Sequence, residues 1–270
     1  MMTYSPDTDK AWGTLYARLE NENLITATRR GMPYVKWGMG AAAVLLLFVG
    51  VYFLIHKPET PMLVCTNDIS AGTLVKTLED GSVVYLAAQA SLEYPEHFAG
   101  KERGVVLQGE AFFDIAKDAT KPFRIETQQV IIEVLGTAFS VKSDSTGIFR
   151  LSVRHGKVRV TAKADKKELI IRAGEAVTSE GGFLSVVSKP DGHEFEAYLE
   201  KLSFKDEPLE KIVDVISRAT SRVVVLDNEA VKKREMTVRF YENDADVMTR
   251  VIALALKLQR EVKQDTIYIR

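Results

Sequence analysis

The stretch Phe149-Arg150-Leu151-Ser152-Val153-Arg154-His155-Gly156-Lys157-Val158-Arg159-Val160 decides the fold class. Phe149, Leu151 and Val153 alternate with Arg150, Ser152 and Arg154, the period of a half-buried strand. After His155-Gly156 the alternation resumes with Val158 and Val160 set between Lys157 and Arg159. Read as a hairpin with a two-residue loop, the stretch pairs Val153 with Val158 and Leu151 with Val160 on one face. Ser152, Arg154, Lys157 and Arg159 then share the other face. A slip of one residue breaks both sets, so the register is specified. Histidine tolerates the left-handed conformation of such a loop, which makes His155 a turn residue rather than a catalyst.

The same rhythm extends in both directions. Candidate strands begin near residues 74, 83, 103, 109, 123, 129, 139, 148, 157, 168, 175 and 183. Turn signals punctuate them at Asp80-Gly81, Lys121-Pro122, Gly136, Gly147, Gly156, Gly174 and Gly181-Gly182. No stretch here has a helix-length apolar period. Residues 73–188 therefore read as an all-β domain, a sandwich or solenoid-like array. Residues 56–72, with Pro58 and Pro61 and no sustained period, read as a linker that contains the single cysteine, Cys65.

Beyond Pro190 the pattern changes. Leu209, Ile212, Val213, Ile216 and Ala219 fall at helical spacing behind Pro208, a residue suited to a first turn. Arg222 to Leu226 and Met236 to Phe240 read as strands. Asn243 or Asp244 caps a second helix, on which Val247, Val251, Leu254 and Ala255, or their neighbours, face a core. A final hairpin turns at Gln264-Asp265. Residues 189–270 thus predict a small α+β domain of order β-α-β-β-α-β-β.

Upstream, Trp37 to Ile55 reads WGMGAAAVLLLFVGVYFLI, without a charge and apolar on every face. Its 19 residues span about 28 Å as a helix, the thickness of a bilayer's hydrocarbon. Arg18, Arg29, Arg30 and Lys36 precede it within 20 residues, and only Lys57 follows within 20. That bias predicts an uncleaved transmembrane helix in the inner membrane, with residues 1–36 cytoplasmic and residues 56–270 periplasmic. Within the tail, Trp12, Leu15, Tyr16 and Leu19 recur at i, i+3, i+4 and i+7, a candidate contact face for a cytoplasmic partner. Ser5 or Asp7 is placed to cap that helix, and Pro6 suits its first turn.

Composition narrows the chemistry. The 270 residues carry 36 basic and 37 acidic side chains, a balance that argues against direct nucleic-acid binding. The lone cysteine excludes an intrachain disulfide and a thiolate metal cage. No two of His56, His97, His155 and His193 share metal-ligand spacing, and no nucleotide-binding or nucleophile motif is present. The reading is a protein that is not an enzyme and takes no metal or cofactor. Gly109-Glu110-Ala111-Phe112-Phe113-Asp114 reads as a core strand.

As a set, the motifs resemble one family. Leu78-Glu79-Asp80-Gly81-Ser82-Val83-Val84-Tyr85-Leu86, Leu92-Glu93-Tyr94-Pro95 and Gly109 through Asp118 are similar to the FecR family. So are Pro122-Phe123, Val134 through Val141, Gly156 through Val160, and Ala173-Gly174-Glu175-Ala176. Leu86-Ala87-Ala88 stands where the family has Leu-Asn-Ala. The segment from Leu202 to Ile269 resembles the domain that follows in Bacteroidetes members, similar in outline to the short signalling domain of secretins and TonB-dependent transducers. The resemblance implies a cell-surface signalling anti-sigma factor. Its implied partners are an extracytoplasmic-function sigma factor and the periplasmic signalling domain of a TonB-dependent outer-membrane transducer. Asp7 through Trp12 resembles the stretch just before the family's membrane span, so the expected tail is shorter than the family's helical anti-sigma domain. The alternative reading is a membrane-anchored periplasmic binding or scaffold protein without sigma-factor contact.

Overall fold

The computed structural model describes residues 7–22, 45–52, 61–68, 72–144, 147–180, 183–188 and 194–270. The chain divides into two units, Met1–Glu59 and Thr60–Arg270. In the first, helix α1 (Thr8–Asn21) starts on Asp7, whose carboxylate accepts the Lys10 N–H at 3.5 Å. None of its side chains is buried. Residues 45–52 are helical and exposed throughout. No helix among the described residues is long and apolar enough to cross a membrane. The remainder of the expected 37–55 span, and residues 23–36 of the expected tail, lie outside the described residues.

The second unit opens with β1 (Met62–Thr66), β2 (Thr73–Thr77), β3 (Val83–Leu86), β4 (Ser91–Pro95) and β5 (Arg103–Asp114). It continues with β6 (Phe123–Glu126), β7 (Val130–Val134), β8 (Ala138–Ser143) and β9 (Phe149–His155). Next come β10 (Lys157–Ala162), β11 (Glu168–Arg172), β12 (Glu175–Glu180), β13 (Phe183–Ser188) and β14 (Leu202–Pro208). After β14 follow α2 (Leu209–Thr220), β15 (Val223–Leu226), α3 (Glu229–Lys232), β16 (Glu235–Arg239), α4 (Ala245–Leu256), β17 (Arg260–Lys263) and β18 (Thr266–Ile269).

The strands build a sandwich whose two sheets share β5. Sheet I runs β1-β4-β5-β6-β7-β10-β11, and sheet II runs β13-β12-β9-β8-β5-β3-β2-β14-β16. Residues 103–108 of β5 pair in sheet I and residues 109–114 pair in sheet II. The bend falls at Gly109, where φ is +93° and an added Cβ would lie 2.9 Å from the Ala90 Cα. Only glycine accepts both the twist and the close approach. The two strands expected at 103 and 109 are therefore one bent strand. Leu107, Phe113, Phe123, Phe139, Leu151, Val153, Val158 and Val160 meet between the sheets, all at or near complete burial. At about 1.5–3 kcal/mol for each such side chain, this layer dominates the favourable side of folding.

The expected 149–160 hairpin does not form. β9 pairs with β8 and β12, whereas β10 pairs with β7 and β11. His155-Gly156 carries the chain from sheet II to sheet I. Gly156, not His155, takes the left-handed conformation, at φ +86°. Val153 and Val158 still face one core, but from opposite sides of it. Alternation reports which face is inward, and a sheet change preserves that as well as a hairpin does. Ser152, expected on the outer polar face, is buried.

Residues 62–66 of the expected linker form β1, which among the described residues pairs with β4 alone. As an exposed edge strand it lacks the alternation that marks a half-buried one. Its partner β4, a stretch the strand count passed over, is bounded by Gln89 at φ +62°.

Sheet II is covered on its second face as well. Val75, Val83, Tyr85 and Phe112 point away from sheet I, into a core with Phe195, Tyr198, Phe204 and the buried sides of α2 and α4. β14 pairs parallel with β2 and antiparallel with β16, so two strands of the C-terminal segment complete sheet II. The remaining three form sheet III, in the order β15-β18-β17. A bulge between Phe204 and Glu207 turns the fully buried Glu207 carboxylate onto the Lys76 ammonium at 2.6 Å and the Thr77 N–H at 3.2 Å.

The two expected helices are present. α2 buries Leu209, Ile212, Val213, Val215 and Ile216. α4 starts on Asp244, whose carboxylate accepts the Asp246 and Val247 N–H groups at 2.7 and 3.1 Å. Its buried face is Ala245, Met248, Thr249, Ile252 and Ala253, neighbours of the residues with the stronger apolar count. Thr249 is the reason. Its hydroxyl donates to the Ala245 carbonyl at 2.6 Å and accepts from Arg260 Nε at 2.9 Å, so a polar residue is satisfied inside.

Candidate functional site

Motif residues scattered along the β domain converge on a groove of about 800 Å³ at the outer face of sheet I. The connection after β5 lies across it. Its Ile115 N–H donates to the Thr137 carbonyl at 3.1 Å, and its Asp118 N–H donates to the Leu135 carbonyl at 2.8 Å. Gly136, at φ +150°, makes this approach possible: an added Cβ would lie 2.7 Å from the Lys117 Cα. At Gly156 an added Cβ would lie 2.8 Å from Thr137 Oγ1, whose hydroxyl donates to the Lys157 carbonyl at 3.0 Å. The Ala173 N–H closes the far side, donating to the Gly156 carbonyl at 3.1 Å. The glycines of two motifs, Gly136 and Gly156, therefore act by letting backbones meet.

The walls are charged on one side of the ledger. Lys117, Lys157, Arg159 and Arg172 line the groove with a single carboxylate, Glu133, which binds Arg159 at 3.2 Å. Lys157 stands directly opposite Arg172 in the β10–β11 ladder. The floor between them is apolar, with Ile170 54% exposed and Leu135 41% exposed. Sequence reading had set Lys157 and Arg159 together on a polar face but missed Lys117, Leu135, Ile170 and Arg172. No signal in the sequence joined them, because the four residues lie on three separate segments and only Lys117 and Leu135 fall within the motifs.

Other candidates are accounted for locally. His97 is exposed and hydrogen-bonded through Nδ1 to Glu79 at 2.8 Å, and that bond raises its pKa. Glu79 is lowered: desolvation opposes the fall, and the hydrogen bonds from the Phe98 N–H and His97 outweigh it. His155 ends β9 at the surface, and His56 and His193 lie outside the described residues. Cys65 is half-buried in β1, and burial pushes its thiol up. Among the described residues no group of three or more His, Cys, Asp or Glu is placed to hold a metal ion.

The tail residues singled out from sequence lie on one face of α1. Trp12 is 60% exposed, Leu15 and Tyr16 are exposed, and Leu19 is half-buried. On α4, rotating the core face leaves Val247, Val251 and Leu254 as an outward stripe, with Leu254 74% exposed.

Compared with known proteins, residues 68–159 match the family described as FecR protein. No curated protein matches the chain. Two crystal structures of a candidate anti-sigma factor from Parabacteroides distasonis, at 2.50 and 1.65 Å, are similar over 77% of this chain and 98% of theirs. Both are 23% identical to it, with TM-scores of 0.49 and 0.48.

Proposed function

This chain is a FecR family protein through its residues 68–159, and from that premise we propose that it regulates a sigma factor from the inner membrane. The family match carries the reading, because it spans most of the motifs that meet at the groove. In this reading residues 37–55 cross the membrane once, residues 1–36 are cytoplasmic, and the second unit is periplasmic. The exposed apolar helix at residues 45–52 supports the anchor. The exposed Trp12, Leu15 and Tyr16 support a cytoplasmic contact with an extracytoplasmic-function sigma factor. Together with Leu19 these make four side chains, which gain roughly 6–12 kcal/mol if fully buried against a partner. The α4 stripe of Val247, Val251 and Leu254 supports docking of an outer-membrane transducer's signalling domain on the C-terminal segment.

A reporter driven by the sigma factor tests the proposal in cells. Deleting the whole chain changes reporter output, and Trp12→Ser with Tyr16→Ser reproduces most of that change. Leu254→Asp with Val251→Asp leaves basal output intact and abolishes the response to the inducing nutrient. Output untouched by whole-chain deletion defeats sigma regulation. A protease that digests an N-terminal tag and spares the C-terminal segment in spheroplasts defeats the topology.

A further inference from the structure

The groove on sheet I carries an electrostatic arrangement that folding alone does not favour. Like charges directly opposite in an antiparallel ladder destabilise it, and Lys157 and Arg172 hold that position. Among the described residues the side chains of Lys117, Lys157 and Arg172 make no ion pair, although the chain carries 36 basic and 37 acidic side chains. The groove's one acid is already taken by Arg159. Anionic charge from elsewhere relieves this.

The floor and the edge describe the rest of the occupant. Ile170 and Leu135 expose apolar surface between the cations. Among the described residues β11 pairs with no strand but β10, so its other edge carries no ladder. The Arg172 N–H turns away from β10 and donates to the Glu175 carboxylate at 2.7 Å. By the alternation of a strand, the N–H and C=O of Ile170 point off the same edge. Backbone groups there await an extended chain. A bilayer surface also offers anions, but it is flat. It cannot set apolar side chains onto a recessed floor while pairing with a strand edge.

We infer that this groove binds an extended acidic peptide segment of a partner protein whose carboxylate and apolar side chains recur at every second residue, so that both kinds share the face turned to the groove. The inference stands on the groove itself and is independent of sigma regulation.

The test uses the full chain in neutral detergent and two fluorescein-labelled heptapeptides, Glu-Ser-Leu-Ser-Glu-Ser-Leu, whose carboxylates and leucines share one face when extended, and its counterpart with Lys in place of Glu. Fluorescence anisotropy is read at low and high ionic strength, because exposed charge pairs are screened by salt. The acidic peptide binds at least about tenfold tighter than the basic one, and salt erodes the difference. The double reversal Lys157→Glu/Arg172→Glu inverts the preference. The neutral pair Lys157→Gln/Arg172→Gln weakens acidic-peptide binding while its thermal midpoint holds or rises, which separates lost binding from lost folding. Equal affinity for both peptides, no binding of the acidic one, or a preference that survives the double reversal overturns the inference. Phosphatidylglycerol vesicles captured by the wild type and released by the double reversal, with the acidic peptide unbound, assign the groove to lipid and overturn it too.

Discussion

Sheets I and II share a strand and a core, yet their outer faces differ. In sheet I, burial alternates: β6, β7 and β10 hide every second residue and turn the others to solvent. In sheet II, all four residues of β3 are buried, as are five of the six in β8. The second face of sheet II lies under residues 194–204, α2 and α4, whereas among the described residues the outer face of sheet I carries only the connection after β5. Alternation in sequence is thus a signature of a one-sided sheet rather than of a strand. That more open face is also where the family motifs converge and where, among the described residues, the side chains of Lys117, Lys157 and Arg172 make no ion pair.

The sharpest way to break this comparison is to truncate one outer residue from each sheet. Phe112, 3% exposed, packs against Phe195 and Tyr198 with ring centroids 5.7 and 5.8 Å apart. Phe112→Ala is expected to cost about 3–5 kcal/mol in denaturant unfolding. Ile170→Ala on sheet I is expected to cost under about 1 kcal/mol. Similar losses would show that the second layer does not stabilise sheet II. Next in size is Glu207→Ala, which strands the Lys76 ammonium and is expected to cost about 3 kcal/mol. A double replacement, Glu207→Leu with Lys76→Met, recovers much of that loss if the penalty lies in the unpaired charge.

A smaller effect probes the crossing between sheets. Gly156→Ala combines φ +86° with a Cβ 2.8 Å from Thr137 Oγ1, whereas Gly174 at φ +79° has open space around it. Both substitutions incur left-handed strain of about 1–3 kcal/mol, and the first adds a clash. Equal costs would indicate that the crossing at Gly156 is not tightly packed. Smaller still, Lys157→Glu places opposite charges across the β10–β11 ladder and is expected to stabilise by about 0.5 kcal/mol. The smallest is a pH effect at the surface of the β domain. The raised His97 pKa gives stability fully present below the usual imidazole range and lost as pH rises through the folded value. Glu79→Gln returns the His97 titration, read by NMR, to its ordinary position.

What the sequence showed follows from the same comparison. In sheet I, β6, β7 and β10 were legible because one face met water, whereas the edge strand β1 and its partner β4 were not. Which strands pair was not legible, because Leu151, Val153, Val158 and Val160 point into one core whether or not β9 and β10 are neighbours. The C-terminal order was readable from Pro208, the α2 period and the Gln264-Asp265 turn. That β14 would pair with β2 was hidden, since a parallel join across 129 residues (Leu202 with Thr73) leaves no local mark. The groove escaped notice because its cations lie on separate segments and its glycines look like ordinary turn residues until the backbones they admit are in view.

The central claim is that the C-terminal segment is the second layer of sheet II rather than an appended domain. Native-state hydrogen exchange on the full chain addresses it directly. The account predicts that amides of β2, β3, β14 and α4 share the slowest class and open together. Exchange of β14 and α4 at an opening free energy roughly 3 kcal/mol below that of β2 and β3 would contradict it.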